Sequence, residues 1–172
     1  KMKDKDSDVG ANPEPFGLIR RDGSRRPAFN TYRVGVGYMS GVQTAQRERW
    51  DDVGIVKLNQ EGKSTHVMFT RTQGDRFVQI PATAPTAILA DMYGTQRNLT
   101  AENGFFGVNL PAANCTQIAG EFCMIGGHTY YLVQGVDGDS VESPVVQDGD
   151  AGAAEPTAPP TETPERSEEH MS

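Results

Sequence analysis

Asn12-Pro13-Glu14-Pro15-Phe16-Gly17-Leu18-Ile19-Arg20-Arg21-Asp22-Gly23-Ser24-Arg25-Arg26-Pro27-Ala28-Phe29 is the stretch on which the fold assignment turns. A loop, a helix start at Pro27 and an amphipathic helix follow one another at once, with no strand ahead of them to pack on. That order reads as the tail of a larger domain rather than the start of one. The chain opens on Lys1 and its first nine residues are charged or polar except Met2 and Val9, with no secretory leader visible among them. Both features fit a piece of a longer polypeptide whose chemistry lies in residues that precede it.

Working outward, Arg26 to Ser40 is the one strong helix candidate. Pro27 suits the first helical position, where its missing N–H costs nothing. Ala28, Tyr32, Gly35 and Met39 fall on one face with Phe29 and Val36 beside it, an apolar stripe at 3–4 spacing that predicts the packed side. Gly41 is placed to end the helix. Gly35 and Gly37 each cost about 1 kcal/mol against Ala, which close packing on another backbone would explain.

After Trp50 the apolar period changes to two. Strands are expected near Gly54–Leu58, Thr65–Thr70, Phe77–Pro81, Ala87–Tyr93, Phe105–Leu110, Glu121–Ile125 and Tyr130–Gln134. The turns Asn59–Lys63, Gln73-Gly74-Asp75 and Glu102-Asn103-Gly104 carry the Gly and Asn or Asp that positive φ demands. Seven short strands so spaced predict a mainly β protein preceded by one helix, an antiparallel β-sandwich or a small curved sheet, with the sandwich favoured.

The charge is unevenly spread. Residues 1–134 carry 15 Lys and Arg against 13 Asp and Glu, a net of +2, whereas residues 135–172 carry one Arg and ten acids, a net of −9. The overall −7 therefore belongs to the tail and says nothing of what the folded part binds. From Gly135 to Ser172 there is no Phe, Tyr or Trp. Such a segment cannot bury enough apolar area to offset about 1–2 kcal/mol of backbone ordering per residue, and it is expected to be a disordered acidic tail. Its Pro/Thr-rich run over 153–165 reads as a stalk or linker. No run of about 18 apolar residues exists to span a membrane as a helix.

The run Pro15 to Phe29 resembles the closing segment of bacterial (β/α)8-barrel glycoside hydrolases. There a glycine-leucine pair, a short Asp-Gly turn and an Arg-Pro-Ala-aromatic start join the last barrel strand to the last helix. Here Asp22-Gly23-Ser24 makes the turn and Arg26-Pro27-Ala28-Phe29 the helix start. The second half resembles the small β domain that follows such barrels. Its marks are Asp91-Met92-Tyr93-Gly94, Asn109-Leu110-Pro111-Ala112 and Ile125-Gly126-Gly127-His128-Thr129-Tyr130-Tyr131-Leu132-Val133. The resemblance covers residues 12–134. It implies three parts: residues 1–41 as the end of a catalytic TIM barrel, 42–134 as a β-sandwich accessory domain in a structural role, and 135–172 as the tail.

These hydrolases work with two carboxylates flanking the glycosidic bond, at the ends of barrel strands four and seven in the retaining clan. Both positions would lie upstream of Lys1, so no residue here inherits a catalytic role and the chain alone is expected to be inactive. Asp4, Asp6, Asp8 and Glu14 could rim a sugar pocket, although a solvated acidic loop interleaved with Lys3 and Lys5 is the favoured reading. The resemblance, the cysteine pair and the stalk-like tail together imply an extracellular or cell-surface bacterial protein. Its partner would be the barrel of the same polypeptide.

Other chemistry is weighed residue by residue. Cys115 and Cys123 flank an expected hairpin, and in a secreted enzyme a disulfide is favoured over two separately buried thiols. No Cys-x-x-Cys pattern or further ligand set points to a metal, and no cofactor is implied. His66 in mid-strand and His128 in a turn read as structural. Asp137-Gly138-Asp139-Ser140 and Asp148-Gly149-Asp150 invite a calcium reading, but the loop from Asp137 has Val141 for a carboxylate and Glu142 for the turn glycine, and a solvated acidic linker is the favoured reading.

Arg20, Arg21, Arg25 and Arg26 form one basic turn beside Asp22, too local for a nucleic-acid face. The aromatics able to stack on sugar are Trp50, Tyr38, Tyr93, Tyr130 and Tyr131. Of these, Trp50, Tyr130 and Tyr131 are the substrate-binding candidates. Trp50 at the junction is more simply read as packing between helix and β domain. Tyr130 and Tyr131 point to opposite faces of a strand. Two alternatives to the hydrolase fragment stand: a non-catalytic carbohydrate-binding module in residues 51–134, and an independent surface β-sandwich. An independent domain should cover Phe29, Tyr32 and Val36, whereas a severed barrel piece leaves them on an apolar patch.

Overall fold

The computed structural model describes residues 17–115, 118–123 and 126–135. The acidic residues 4, 6, 8 and 14, the start of the opening run and the entire tail past residue 135 lie outside them. Gly17 to Arg26 forms a tight loop: Ile19 bridges Arg25, and the Arg20 N–H donates to the Ser24 carbonyl at 2.8 Å. Asp22 closes it by accepting from the Ser24 N–H at 2.8 Å and the Ser24 hydroxyl at 2.7 Å, and Gly23 takes φ 90°. Helix α1 follows at Pro27–Met39 with Pro27 in its first turn, and Gly41 leaves it at φ 73°.

Ten antiparallel strands follow among the described residues. They are β1 (Val42–Trp50), β2 (Val53–Gln60), β3 (Lys63–Thr70), β4 (Arg76–Pro81), β5 (Thr86–Asp91), β6 (Gln96–Thr100), β7 (Phe105–Leu110), β8 (Ile118–Ala119), β9 (Phe122–Cys123) and β10 (Tyr130–Gly135). Six make one sheet in the order β1-β2-β3-β10-β5-β6. The pair β4–β7 is a separate ribbon, and β8–β9 a small hairpin. The last strand thus inserts between β3 and β5, and its pairing closes the sheet.

Both faces of the six-stranded sheet are covered at its centre. On one, Val53, Ile55, Met68, Ala87, Leu89 and Leu132 meet Val78 and Ile80 of β4 and Phe106, Val108 and Leu110 of β7. On the other, Ile88, Ala90, Tyr131 and Val133 meet Val34 and Tyr38 of α1. Two buried glutamines stitch these layers. Gln60 donates to the Tyr38 and Ser40 carbonyls at 3.1 and 2.6 Å, satisfying orphan acceptors at the helix end, and accepts from Thr65. Gln134 accepts from Thr83 and donates to the Pro81 carbonyl.

Several expectations are corrected. The packed side of α1 is Val34, Gly35 and Tyr38, whereas Tyr32, Val36 and Met39 are exposed. The helix carries two apolar stripes, and the sheet takes the one rotated from the expected face. Gly35 admits the Tyr131 hydroxyl, which a Cβ would meet at 3.1 Å, rather than another backbone; a Cβ on Gly37 would meet nothing, and its presence has no structural account. Strands β1 and β6 fall where none was expected, because nearly every residue of each is exposed and an alternating apolar signal is missing. The strand expected at Ala87–Tyr93 ends at Asp91, where the carboxylate accepts from the Tyr93 and Thr95 N–H groups and turns the chain. Of the expected turns, Gly62 takes φ 68°, and Asn103 and Gly104 take 51° and 81°, the two-residue pattern that links β6 to β7. Gly74 keeps a negative φ.

Candidate functional site

Trp50 ends β1 opposite Gly54. Gly54 is required there: a Cβ would sit 2.5 Å from Cζ of Phe69, whose ring occupies that space and meets Trp50 edge-on at 5.7 Å. Arg71 lies over the Trp50 ring at 4.9 Å and over Phe122 at 4.5 Å, and Arg47 approaches Trp50 at 5.9 Å. The Arg71 guanidinium is held by donating to the Trp50 and Asp51 carbonyls at 2.9 and 2.8 Å. The expected contact between Trp50 and the helix is not the one formed: these ring partners come from the sheet, the loop after β3 and β9.

Beside it, Asp51 accepts from the Val53 N–H and from Arg49. These bonds, the backbone one first, lower its pKa to about 2. Asp52 bridges Arg49 at 2.7 Å and Arg76 at 2.6 Å. Asp51 thus closes the β1–β2 corner, and Asp52 ties that corner to Arg76 of β4.

The disulfide forms between Cys115 and Cys123, Cα to Cα 5.0 Å. The Cys123 N–H donates to the Arg71 carbonyl, and Ala113 and Gly127 donate to Thr72 and Thr70. The crosslink therefore pins the β8–β9 hairpin, and with it Phe122, against the Arg71–Trp50 stack. A disulfide fits an oxidising, extracellular setting.

Tyr131 is buried, stacked on Tyr38 with ring centroids 4.9 Å apart, and offers no ring face to a ligand. Burial raises the pKa of both phenols. Tyr130 points to the opposite face, as strand alternation requires, and packs partly buried against the ribbon core. Of the three sugar-stacking candidates Trp50 alone is substantially exposed, and the three are not brought together.

His128 meets the exposed Tyr93 edge-on at 5.7 Å. His66 is 3% exposed on the ribbon-facing side of the sheet, its Nε2 3.6 Å from a Glu48 oxygen. Burial first, and the Lys57 ammonium second, lower its pKa to about 4, so at neutral pH it is uncharged and this contact is not an ion pair. Its Nδ1 and the neighbouring Ser64 hydroxyl have no hydrogen-bond partner among the described residues. No three His, Cys, Asp or Glu side chains converge on a metal position among the described residues, and no helix there is long and apolar enough to cross a membrane.

The feature that sequence reasoning placed on the wrong side is the outward stripe of α1. Tyr32, Val36 and Met39 stand at i, i+4 and i+7 and are 53%, 47% and 44% exposed. Phe29, one turn earlier, is partly covered by the Arg25 guanidinium at 4.9 Å. No charged group interrupts the three.

No protein-family model and no curated protein matches this chain. Solved structures do. A family 39 glycoside hydrolase from the gut symbiont Bacteroides cellulosilyticus WH2 superposes with a TM-score of 0.51 at 19% identity, over 78% of this chain and 25% of that one. A GH30 endoxylanase from Clostridium papyrosolvens C71 gives 0.50 at 13% identity, over 70% and 30%. The chain spans only 25% and 30% of the length of these two structures. The described β fold with its one helix is one that occurs as part of larger glycoside hydrolases.

Proposed function

We propose that this chain is the C-terminal, non-catalytic portion of a secreted bacterial glycoside hydrolase. Residues 1–41 complete a (β/α)8 barrel, residues 42–134 form the accessory β-sandwich, and residues 135–172 are an acidic tether. The reaction, hydrolysis of O-glycosyl bonds, belongs to a barrel supplied by other residues of the same polypeptide. The role of the part described here is to brace that barrel.

The observation that carries this reading is the two-sided helix. One stripe of α1 is spent on the sheet, and the other, Tyr32, Val36 and Met39, faces outward as an independent domain would not leave it. Two neighbours of the same fold are glycoside hydrolases matched over only 25% and 30% of their length, which supports the same division of labour.

The test compares Val36→Asp in two settings, the 172-residue chain and a longer natural polypeptide that includes its upstream residues. An exposed position tolerates a charge within about 0.5 kcal/mol, whereas a position buried against a barrel loses several times that. The expected result is an unchanged melting temperature for the short chain and a lowered one for the long polypeptide, with hydrolytic activity in the long form only. Equal tolerance in both, or glycosidase activity from the short chain, would refute the assignment.

A further inference from the structure

The ribbon β4–β7 has two unlike faces. Its inner side, Val78, Ile80, Phe106, Val108 and Leu110, is sealed in the core. Its outer side presents Phe77, Gln79 and Pro81 from β4 and Phe105, Gly107 and Asn109 from β7, and all six are exposed. In register, Phe77 stands opposite Asn109, Gln79 opposite Gly107, and Pro81 opposite Phe105. This surface lies on the side of the six-stranded sheet away from α1, so it is independent of any barrel docked on the helix.

None of the six is charged, in a chain where 23% of residues are. The acids next to the strip by sequence, Asp75 and Glu102, sit beyond its two ends, and Asp75 is occupied in accepting the Ala112 N–H at 2.8 Å. Phe77 is 61% exposed, and the tip of its ring reaches over Gly107, where a Cβ would lie 2.8 Å from Cζ. Gly107 thus keeps the strip low enough for that ring to lean along it. Phe105, 41% exposed, stands at the other end of the strip, paired with Pro81, so that the Phe77 ring leans toward it.

We propose that the outer face of the β4–β7 ribbon binds a neutral polysaccharide chain, with Phe77 and Phe105 as stacking rings and Gln79 and Asn109 as hydrogen-bonding amides. A sugar ring offers apolar C–H faces to aromatic rings and hydroxyls that both donate and accept, and a carboxamide answers both. A polyanion finds no cation on the strip and a polycation no carboxylate. A two-stranded ribbon provides no walls to enclose a monosaccharide. Rings placed at the two ends of the strip, opposite Asn109 and Pro81, instead suit an extended chain lying along it.

Affinity electrophoresis of the folded chain in native gels containing soluble arabinoxylan, mixed-linkage β-glucan or galactomannan tests this. Retardation by at least one of the three is expected. Phe77→Ala and Phe105→Ala are each expected to weaken it about tenfold, as loss of one anchoring ring does. Asn109→Asp should weaken it with both rings in place, and Tyr93→Ala, an exposed ring in the β5–β6 turn, should leave it unchanged. Circular dichroism melting of each variant verifies that the fold persists, as exposed positions predict. No retardation of the parent chain in any of the three gels overturns the proposal. So does equal retardation of Phe77→Ala, or a dimer in sedimentation that Phe77→Ala abolishes, which would make the strip a self-contact.

Discussion

Lowering the pH from 7 to 4 is expected to destabilise this protein through His66. The imidazole is buried between Lys57 of β2 and Leu132 of β10 in register, and its folded pKa is lowered from 6.5 to about 4. Above pH 6.5 it is neutral in both folded and unfolded chains and contributes no pH dependence. Below pH 6.5 the unfolded chain takes up a proton that the folded chain refuses until about pH 4, so stability falls across that window. A gap of about 2.5 pH units at 1.36 kcal/mol each comes to about 3 kcal/mol. Glu48 lies 3.6 Å from Nε2.

The assay is urea unfolding at pH 7, 6, 5 and 4 for the parent chain and for His66→Leu. Carboxylates away from His66 titrate alike in both, so the difference between the two curves reports the histidine together with its neighbour Glu48. That difference should narrow by about 3 kcal/mol in favour of the variant as pH falls. Parallel curves, or an NMR titration giving His66 a midpoint near 6.5, would refute the reasoning.

Two more predictions concern the clasp around Trp50. Breaking the disulfide with Cys115→Ser plus Cys123→Ser opens a loop of eight residues, and the chain-entropy estimate for that length puts the loss at about 2.5 kcal/mol. Chemical denaturation with and without reductant reads it, and equal midpoints would show that the crosslink constrains nothing. Gly54→Ala forces a methyl to within 2.5 Å of the Phe69 ring. It should destabilise by about 1–3 kcal/mol, the usual result of overpacking, and shift Trp50 fluorescence because Phe69 is its edge-on neighbour. An unshifted spectrum with an unchanged melting point would mean that the ring finds room elsewhere.

Local chemistry in the chain was enough to locate the helix and most of the buried strands. Pro27 opens α1, Gly41 closes it, and Asn103-Gly104 makes a two-residue turn, because φ preferences are properties of single residues. Alternation located β2, β3, β4, β5, β7 and β10, where one face or both is buried and apolar residues must recur. It could not locate β1 or β6: these edge strands are held by backbone pairing while their side chains stay in water, so they carry no apolar rhythm. Nor could it choose between the two stripes of α1. Both are apolar, and which one the sheet covers depends on Tyr131, nearly a hundred residues later in the chain, arriving beneath Gly35. The insertion of β10 between β3 and β5 is the event that decides this. That pairing hides Tyr131 beneath α1 and leaves Tyr32, Val36 and Met39 outside.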